Sequence, residues 1–534
     1  MDRIQPREEV KIKVPDRSKM VLIFSKDRAM QLDCTLNTLY KYCKDINSTD
    51  VCVLYTCSNS DFEVQYARLY DFYPNVKFYK ETSFKNNVLF LMSGYQYCML
   101  CVDDCVFTND FLLEDSIDIL EYMPTVIGFS LRLGKNIDYC YMLDTKQSIP
   151  DYKHCGKGII FDWVKGEYDF GYPLEVSSSV YRTDDLIGII AGSQFENPNV
   201  LELVLDRNKS LLNEKNLLAC YQNSVAFCNP INKVQNQINN RSGNVSIEDL
   251  FNKFYIGQRI RTDKFHNLMV SSPHEEVELS FDNKNLVDED PLISIIIPSF
   301  NGYKCLHECL SSICRNTDSK YEIIVIDNCK DDETLNIIKC ISRKIKVIKN
   351  EKNLGASAAR NQGIKLATGK YLAFMDDDLI VTRHWDRKFL EYMDKVPKVG
   401  IIGPRSNHVS GIQYVDGCKY TNLFELEQYS QNFGKHEKGL IPIIRLVSFC
   451  YFVRREVIEK IGGFDESFNI FFEDDDFTLR CVIAGFNPAV AKNIFIHHSG
   501  GPLKDGDQEY LDKMKASWEI FKNKWEIPEE VKKG

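Results

Sequence analysis

Short apolar runs recur along this chain, and each is followed by a polar turn and then by a stretch with helical spacing. VLIFSKDR at residues 21–28 precedes LDCTLNTLYKYC, and SIIIPSFN at residues 294–301 precedes CLHECLSSICRNT. The cores of these runs do not alternate apolar and polar residues, as expected of strands that are buried on both faces. Strands that alternate with helices predict a mostly parallel sheet with helices on both sides.

The same succession of elements occurs twice. VCVLYTC corresponds to EIIVIDN, VKFYKE to IKVIKN, VIGFSLR to VGIIGPR, and SVYRTDDL to YFVRREVI. The acidic ends of YCMLCVDD and KYLAFMDDD also correspond, which aligns Asp103 with Asp376. Because the matches keep their order and nearly constant separation, they indicate an internal repeat. We predict two tandem α/β domains at residues 1–259 and 291–534, joined by a polar linker at residues 260–290.

Composition narrows the class of protein. The 534 residues exceed what a single core supports, and 44% hydrophobic with 27% charged residues is typical of globular proteins. A net charge of -10 leaves no basic surplus to neutralise phosphates, which argues against nucleic acid as the main partner. The 19 cysteines, the polar first residues and the lack of a bilayer-length apolar run predict free thiols in a cytoplasmic protein.

The segment YLDKMKASWEIFKNKWEIP near the C-terminus is amphipathic, with Trp518, Phe521 and Trp525 on one side. Such a stripe either contacts a membrane surface peripherally, at the inner face where lipid-linked acceptors lie, or packs on its own domain. We favour the packing interpretation.

Polar residues of the second half follow the predicted strands, where ligands of open α/β sheets bind. The fourth strand ends in three consecutive acids, Asp376, Asp377 and Asp378. These carboxylates repel one another unless a cation lies between them, and Mg²⁺ or Mn²⁺ prefers such oxygen ligands. A solvated acidic turn is the alternative interpretation of this run.

Two further polar clusters follow. NIFFEDDDFTLRCVIAGF predicts a helix that begins near Glu473 and ends at Gly485, and acids are common at helix starts for structural reasons alone. The preceding FNIFF is nevertheless too apolar for an exposed loop, and a carboxylate beside an apolar wall is suited to act as a general base. In NIFIHHSGG, a lone buried histidine would be structural, but the two acidic clusters favour metal ligation.

Together, SIIIPSFN, EIIVIDN, NLGASAARNQGI, YLAFMDDDLIV, GGFDESFNIFFEDDDFTLR and FIHHSG resemble the family 2 inverting glycosyltransferases of the GT-A fold. The motifs occur in that family's order over roughly residues 291–501. The resemblance implies a nucleotide-sugar site, a metal site and a catalytic pair. The implied nucleotide-site residues are Pro298, Asn301, Asp327, Asn353, Gly355, Arg360 and Asp377. The implied metal residues are Asp376, Asp378 and His498, and the implied catalytic pair is Glu473 and Asp474, with Asp474 as the base.

The implied reaction is a single displacement. Asp474 takes the proton of an acceptor hydroxyl that attacks the anomeric carbon of a UDP- or dTDP-linked sugar, so that configuration inverts. The implied partners are the nucleotide-sugar donor and a glycan or lipid-linked glycan acceptor, in the synthesis of a surface polysaccharide or glycoconjugate. A metal-dependent nucleotidyltransferase and a non-catalytic nucleotide- or carbohydrate-binding protein are the rival hypotheses.

The first half has the same plan with weaker motifs. Asp103 and Asp104 end its fourth strand as a predicted metal pair, Glu202 lies at the position of Asp474, and Asn229 lies near that of His498. This half is either a second, divergent GT-A glycosyltransferase, which would make the protein bifunctional, or a binding relic. Cysteines around the acidic pair lack the spacing of zinc or iron–sulfur motifs, and we assign them to the strand and its exit.

Overall fold

The computed structural model describes residues 17–233, 241–283, 285–300, 303–329, 333–342, 344–468, 470–500 and 508–528. Within these residues the chain forms two compact units. The first comprises the described residues up to Phe254 together with Arg259–Asp282, and the second comprises Tyr255–Gln258 and the described residues from Asn283 onward. The predicted linker, residues 260–290, is thus shared between the units, and its function as a linker stays a prediction.

The first unit alternates strands with helices. Its strands are β1 (Lys19–Lys26), β2 (Asp50–Thr56), β3 (Val76–Lys80), β4 (Tyr97–Val102), β5 (Cys105–Phe107), β6 (Val126–Ser130), β7 (Tyr139–Cys140), β8 (Thr145–Lys146), β9 (Tyr152–Cys155), β10 (Gly158–Asp162), β11 (Ser179–Arg182), β12 (Leu217–Tyr221), β13 (Ala226–Cys228), β14 (Arg259–Ile260) and β15 (Phe281–Asp282). Its helices are α1 (Ala29–Tyr42), α2 (Ser60–Phe72), α3 (Phe84–Met92), α4 (Leu113–Tyr122), α5 (Thr183–Gly192), α6 (Pro198–Arg207) and α7 (Ile247–Tyr255).

The main sheet of the first unit has the strand order β3-β2-β1-β4-β11-β6-β12-β10-β9. Strands β1 to β4 are mutually parallel, whereas β11 runs antiparallel to both of its neighbours. Val21, Leu22 and Ile23 of β1 have no exposed surface. The apolar run at residues 21–24 therefore lacks alternation because both faces of the strand are covered.

The second unit repeats this construction. Its strands are β16 (Ile293–Ser299), β17 (Tyr321–Asp327), β18 (Lys346–Lys349), β19 (Tyr371–Met375), β20 (Leu379–Ile380), β21 (Val399–Arg405), β22 (Leu440–Pro442), β23 (Cys450–Arg454), β24 (Asn487–Phe495) and β25 (His497–His498). Its helices are α8 (Tyr303–Asn316), α9 (Glu333–Ile341), α10 (Ala356–Leu366), α11 (Trp385–Lys395), α12 (Leu423–His436), α13 (Arg455–Ile461), α14 (Glu473–Ile483) and α15 (Gln508–Lys524).

The main sheet of the second unit has the order β18-β17-β16-β19-β23-β21-β24-β22, and β23 runs antiparallel to β19 and β21. Ile295 and Ile297 belong to the apolar core on one face of the sheet, and Ile296 belongs to the core on the other. Burial on both faces explains the continuous apolar run in β16.

The two sheets share the strand order of their parallel halves and the place of the antiparallel strand. Each of the strand pairs that the sequence comparison matched occupies corresponding positions in the two units. The predicted fold class, two tandem GT-A-type α/β domains with mostly parallel sheets, is confirmed. In each unit the carboxyl ends of β1 and β4, or of β16 and β19, meet at one edge, where the candidate sites lie.

Candidate functional site

In the second unit, a small two-stranded antiparallel sheet brings the acidic run and a histidine together. β19 ends at Met375, and β20 then pairs with β25 so that Leu379 lies opposite His498. His498 Nε2 lies 3.2 Å from Asp378 Oδ1. One ligand atom from each of Asp376, Asp378 and His498 lies within 4.8 Å of the others. Residues far apart in the sequence thus form one cluster of two carboxylates and an imidazole.

The surroundings of His498 fix its orientation. Its Nδ1 lies 2.7 Å from the carbonyl oxygen of His408, and its ring stacks on Phe449 at 5.4 Å. The Asn407 amide accepts from the backbone N–H of His498 and donates to its carbonyl, both at 3.0 Å. An Nδ1–H that donates to a backbone carbonyl directs Nε2 at Asp378, and a metal ion bound there would take the place of a proton on Nε2, which is the usual arrangement of a metal-binding histidine.

The electrostatics of this cluster favour a cation. Burial raises the pKa of Asp376, against the opposing effect of Arg360. Burial acts to lower the pKa of His498, but the hydrogen bond and charge of Asp378 raise it overall. The residues therefore fit a divalent cation, since a cation relieves the repulsion between carboxylates that share little solvent.

Asp377 points to a different partner. Its Oδ2 accepts a hydrogen bond of 2.7 Å from the Ser299 hydroxyl at the end of β16, and burial raises its pKa to about 7. The middle acid of the run is therefore tied to the neighbouring strand and lies outside the ligand cluster.

Arg360 connects the two acidic clusters of this unit. It is 2% exposed, and its guanidinium lies 3.3 Å from both Asp376 and Glu473. It also lies over the ring of Phe464 at 5.1 Å. The resemblance implied a nucleotide-site role for Arg360, which stays a prediction. The structure places Arg360 on α10, between the acids of the sheet edge and those of α14.

The predicted helix at Glu473 is observed as α14, and Gly485 follows its end with a φ of 88°. Phe471 and Phe472, which precede the helix, both have left-handed backbones, with φ of 67° and 64°. Bulky residues rarely adopt this conformation, and it marks a turn that the surrounding packing enforces.

Burial raises the pKa values of both acids at this turn. The pKa of Glu473 rises to about 7, through burial and then the neighbouring charge of Asp474. The pKa of Asp474 is also raised by burial, although the Asp475 N–H donates to its Oδ1 at 2.9 Å. Glu473 Oε2 is buried and has no hydrogen-bond partner among the described residues.

The C-terminal helix α15 packs on this turn. Phe521 and Trp518 lie 5.4 and 5.3 Å from the ring of Phe472. The Ser517 hydroxyl donates to the carbonyl of Ile470 at 2.6 Å. The aromatic stripe thus packs on its own unit, as we favoured, and it covers the residues that precede Glu473.

Four of the other residues implied for the nucleotide site lie at or near the ends of strands and helices in the second unit. Asp327, at the end of β17, is fully buried, and its Oδ2 has no hydrogen-bond partner among the described residues. Pro298 in β16 is half-buried. Gly355 caps α10 with a φ of 83°, and its N–H donates 2.9 Å to the exposed Asn353. Asn301 lies outside the described residues. Contact of these residues with a nucleotide stays a prediction.

The first unit has a cleft of about 940 Å³, and Asp103, Asp104 and Glu202 all line it. Glu202 lies on α6, and its carboxylate accepts from the Val176 N–H at 3.1 Å. Burial and the charge of Glu175 raise the pKa of Glu202 to about 7. The predicted acids of this half are thus brought together.

The acids of the first unit contact an arginine that the sequence analysis did not single out. Arg28, just after β1, lies 3.1 Å from Asp103 and 3.3 Å from Asp104. The sequence does show a cation at this place, since the run SKDR puts Arg28 directly after the first strand. Only the fold shows that Arg28 pairs with Asp103 and Asp104.

The strand register corrects the alignment of the two halves by one residue. In each unit a tyrosine at the start of the fourth strand lies opposite an arginine of the antiparallel strand, and these pairs are Tyr97 with Arg182 and Tyr371 with Arg454. Asp376 therefore corresponds to Val102, and Asp103 corresponds to Asp377. The Ser25–Asp103 hydrogen bond of 2.8 Å matches that between Ser299 and Asp377.

The counterpart of His498 also differs from the expected residue. Cys228 lies opposite Cys105 on β5, just as His498 lies opposite Leu379 on β20. Asn229 instead bonds to the backbone of Val277. The register thus aligns Asp376 with Val102, Asp378 with Asp104, and His498 with Cys228. Only Asp378 has a counterpart of the same residue type in the first unit.

Other residues that shape the second site were also not singled out, namely Asn407, His408 and Phe449. They lie in turns and bends between the strands, without a local pattern. Among the described residues, no helix combines the length and the apolarity that crossing a bilayer requires.

A GT-A-type α/β fold carries an acidic cluster at one edge of the second unit's sheet, and comparison with known proteins shows what this domain is similar to. Residues 294–462 match the model of glycosyl transferase family 2, and the second unit therefore contains a family 2 glycosyltransferase domain. The bifunctional glycosyltransferase pgtA of Dictyostelium discoideum is 28% identical over 298 residues, which cover 48% of this chain and 38% of that protein.

A UDP-Glc:alpha-D-GlcNAc-diphosphoundecaprenol beta-1,3-glucosyltransferase of Escherichia coli, WfgD, is 35% identical over 91 residues, or 17% of this chain and 36% of that protein. Among solved structures, S. aureus TarS 1-349 in complex with UDP is 18% identical, with a TM-score of 0.31, over 43% of this chain and 65% of that one. The chain thus spans less than two thirds of the length of each of these proteins.

Proposed function

We propose that the second unit is a metal-dependent, inverting glycosyltransferase that moves a hexosyl group from a UDP- or dTDP-linked donor to an acceptor hydroxyl. The observation that carries this proposal is the convergence of Asp376, Asp378 and His498, with Arg360 joining Asp376 to Glu473, the neighbour of Asp474 in the chain. A carbohydrate-binding protein would not need both acidic clusters and the oriented imidazole.

Asp376, Asp378 and His498 would hold the metal through two carboxylates and Nε2. A bound Mg²⁺ or Mn²⁺ supplies positive charge to the donor diphosphate and so stabilises the leaving group. The hydrogen bond from His498 Nδ1 to the His408 carbonyl keeps Nε2 directed at Asp378. This arrangement supports the choice of His498 as the third ligand.

Asp474 acts as the general base. It is half-buried at the start of α14, and burial raises its pKa toward the range useful for proton uptake, against the opposing charge of Arg360. Asp474 takes the acceptor hydroxyl proton onto a carboxylate oxygen as that hydroxyl oxygen attacks the anomeric carbon. Attack opposite the departing diphosphate inverts the configuration at that carbon.

Arg360 and Glu473 orient the base. The buried guanidinium pairs with Glu473 and Asp376 at equal distances, which fixes the first turn of α14 relative to the end of β19. A guanidinium suits this task because its rigid fork contacts two carboxylates at once. Glu473 thus contributes to catalysis through the position of Asp474.

The nucleotide lies beyond the ends of β16 and β17, at Pro298 and Asp327, which are among the last residues of these strands, and at Asn301, which follows β16 in the sequence. The unpartnered buried oxygen of Asp327 is an acceptor suited to a donor group of the base or ribose. Asp377, Asn353 and Gly355 complete this edge of the donor site.

The acceptor is a glycan or a lipid-linked glycan, and the product is part of a surface polysaccharide or glycoconjugate. The name of the E. coli relative, which specifies a diphosphoundecaprenol-linked sugar, supports this class of acceptor. The word bifunctional in the name of the D. discoideum relative, together with the repeated fold, supports a second transferase in the first unit.

The test is sugar turnover by the full chain over a panel of UDP-, dTDP- and GDP-sugars with Mn²⁺. Asp474→Asn is expected to lower kcat by at least about 100-fold while donor binding persists, because the base acts only in the transition state. Asp394→Asn, an exposed acid on α11, serves as the control and retains full turnover. Equal turnover in both variants would refute the assignment of the base.

A further inference from the structure

The first unit differs from the second at the positions where a metal would bind. By strand register, Val102 and Cys228 stand where the second unit has Asp376 and His498. Asp104 alone keeps the chemistry of its counterpart, Asp378. Asp104, Cys105 and Cys228 each bring one ligand atom within 4.8 Å of the others, but two thiols and one carboxylate suit a soft ion such as Zn²⁺. They do not provide the hard oxygen ligands that Mg²⁺ or Mn²⁺ prefers.

The acids that remain are already engaged by the protein. Asp103 is 3% exposed; its Oδ2 accepts from the Ser25 hydroxyl at 2.8 Å and the Lys26 N–H at 3.3 Å. Its Oδ1 lies 3.1 Å from the Arg28 guanidinium, which also contacts Asp104 Oδ2 at 3.3 Å. Arg28 thus fills the place between the two carboxylates, and the predicted metal pair Asp103 and Asp104 does not fit a divalent cation.

Arg28 has capacity left for a ligand. It is 9% exposed and lines the cleft of about 940 Å³, and its Nε is buried without a hydrogen-bond partner among the described residues. Arg132 lines the same cleft, is 6% exposed, and also has an unpartnered Nε. Arg28 Nη1 pairs with Asp103 and Asp104, and Arg132 Nη2 lies 3.1 Å from Glu175, but a guanidinium has five N–H donors. The donors that remain point to a ligand that brings acceptor atoms into the cleft.

The size and position of the cleft restrict the class of ligand. A volume of about 940 Å³ suits a molecule as large as a nucleotide sugar. The cleft lies beyond the carboxyl ends of β1 and β4, where α/β sheets bind nucleotides. Guanidinium groups are well suited to phosphate oxygens because their donors form a planar fork.

We propose that the cleft of the first unit binds a nucleoside diphosphate or its sugar ester without Mg²⁺ or Mn²⁺, with Arg28 as the fixed positive charge. This inference rests on the proposed function only for the class of ligand. The two units therefore differ in their requirement for metal.

The test uses the full chain with Asp376→Asn and Asp378→Asn, which removes the carboxylates of the second site. UDP, dTDP and GDP are titrated by calorimetry, first in EDTA and then with Mn²⁺. We expect at least one nucleotide to bind in EDTA, with an affinity that Mn²⁺ changes by less than about twofold. Binding that requires Mn²⁺, or an absence of binding in both conditions, would overturn the proposal.

Arg28→Met in the same background assigns the binding to the first unit. We expect the affinity in EDTA to fall at least about tenfold, whereas Arg261→Met, at an exposed pair with Asp263, leaves it unchanged. Arg28→Lys keeps the charge and is expected to weaken binding less than Arg28→Met, which guards against loss of the fold. Equal affinity in the Arg28 and Arg261 variants would place the ligand elsewhere.

The experiments distinguish failure of the transferase proposal for the second unit from failure of the ligand proposal for the first unit. If wild-type turnover is absent while binding in EDTA depends on Arg28, only the transferase assignment of the second unit is wrong. If wild-type turnover depends on Mn²⁺ and Asp474 while no nucleotide binds in EDTA, only the present inference is wrong.

Discussion

Replacing Phe521 by alanine tests whether the C-terminal helix α15 positions the acidic turn of the second unit. Phe521 is 9% exposed, and its ring lies 5.4 Å from Phe472 and 6.3 Å from Phe468. These three side chains form a small buried cluster of their own, separate from the larger cores of the unit. Loss of Phe521 therefore acts on the docking of α15 before it acts on the sheets.

The expected cost follows from burial. Phe→Ala in a core costs about 3–5 kcal/mol, and a small cluster near the surface belongs at the lower end, about 3 kcal/mol. Most of this free energy opposes undocking of α15. Phe472 then loses its cover, and the left-handed backbone at Phe471 and Phe472 loses the packing that enforces it.

The assay combines denaturant unfolding with steady-state turnover and Mn²⁺ binding. We expect Phe521→Ala to lower kcat at least about tenfold, since a displacement of about 1 Å in a catalytic group has effects of this size or larger. The affinity for Mn²⁺ is expected to stay unchanged, because His498 and its carboxylate partners do not belong to the cluster of α15.

Asn523→Ala, an exposed change on the same helix, is the control and should alter neither quantity. Phe521→Leu restores most of the buried volume and should recover part of kcat. If Phe521→Ala loses about 3 kcal/mol yet keeps full kcat, α15 stabilises the unit without positioning the base, and the reasoning is wrong.

Three further predictions concern other parts of the chain. His498→Ala should weaken Mn²⁺ binding at least about tenfold, measured by electron paramagnetic resonance, and no loss would remove His498 from the ligand set. Glu202→Gln should stabilise the protein by about 1–3 kcal/mol at pH 8 and by nothing near pH 4. The pKa of Glu202 is raised from 4.5 to about 7, so the folded state favours the protonated carboxyl, and this contribution to stability is lost as pH rises through that window. Urea unfolding at both pH values checks this, and equal stability of the two proteins at pH 8 would contradict it. Gly363→Ala should cost about 1–3 kcal/mol, because the added Cβ would lie 2.4 Å from Ile296 Cγ2, and an unchanged thermal midpoint would argue against that close approach.

Much of the fold follows from the sequence because its signals are local. Runs such as residues 294–297 are apolar without alternation, and the structure places Ile295 and Ile296 in cores on opposite faces of one sheet. The start of α14 was also predictable, since acids at Glu473 and a glycine at Gly485 mark its two ends.

The register of the acidic runs was not predictable by alignment. Near-constant separation placed Asp103 with Asp376, but the hydrogen-bonded strands place Asp103 with Asp377. A shift of one residue leaves the apolar pattern of a fully buried strand unchanged, because both faces accept apolar side chains. At the end of the strand, however, the same shift changes which acid of one unit corresponds to which acid of the other.

The contacts between residues far apart in the sequence could not be predicted for a different reason. Arg28 meets Asp103, and Arg360 meets Glu473 across 113 positions, only after the sheet has formed. A buried arginine has no periodic pattern, so its partners are found only in the folded chain.

The most direct test of the account is the anomalous scattering of Mn²⁺ in crystals of the full chain grown with UDP. The account predicts a manganese peak bonded to Asp376, Asp378 and His498, and none between Asp103 and Asp104, where Arg28 lies. A peak in the first unit, or density for UDP in the second unit without manganese at those three residues, would contradict it.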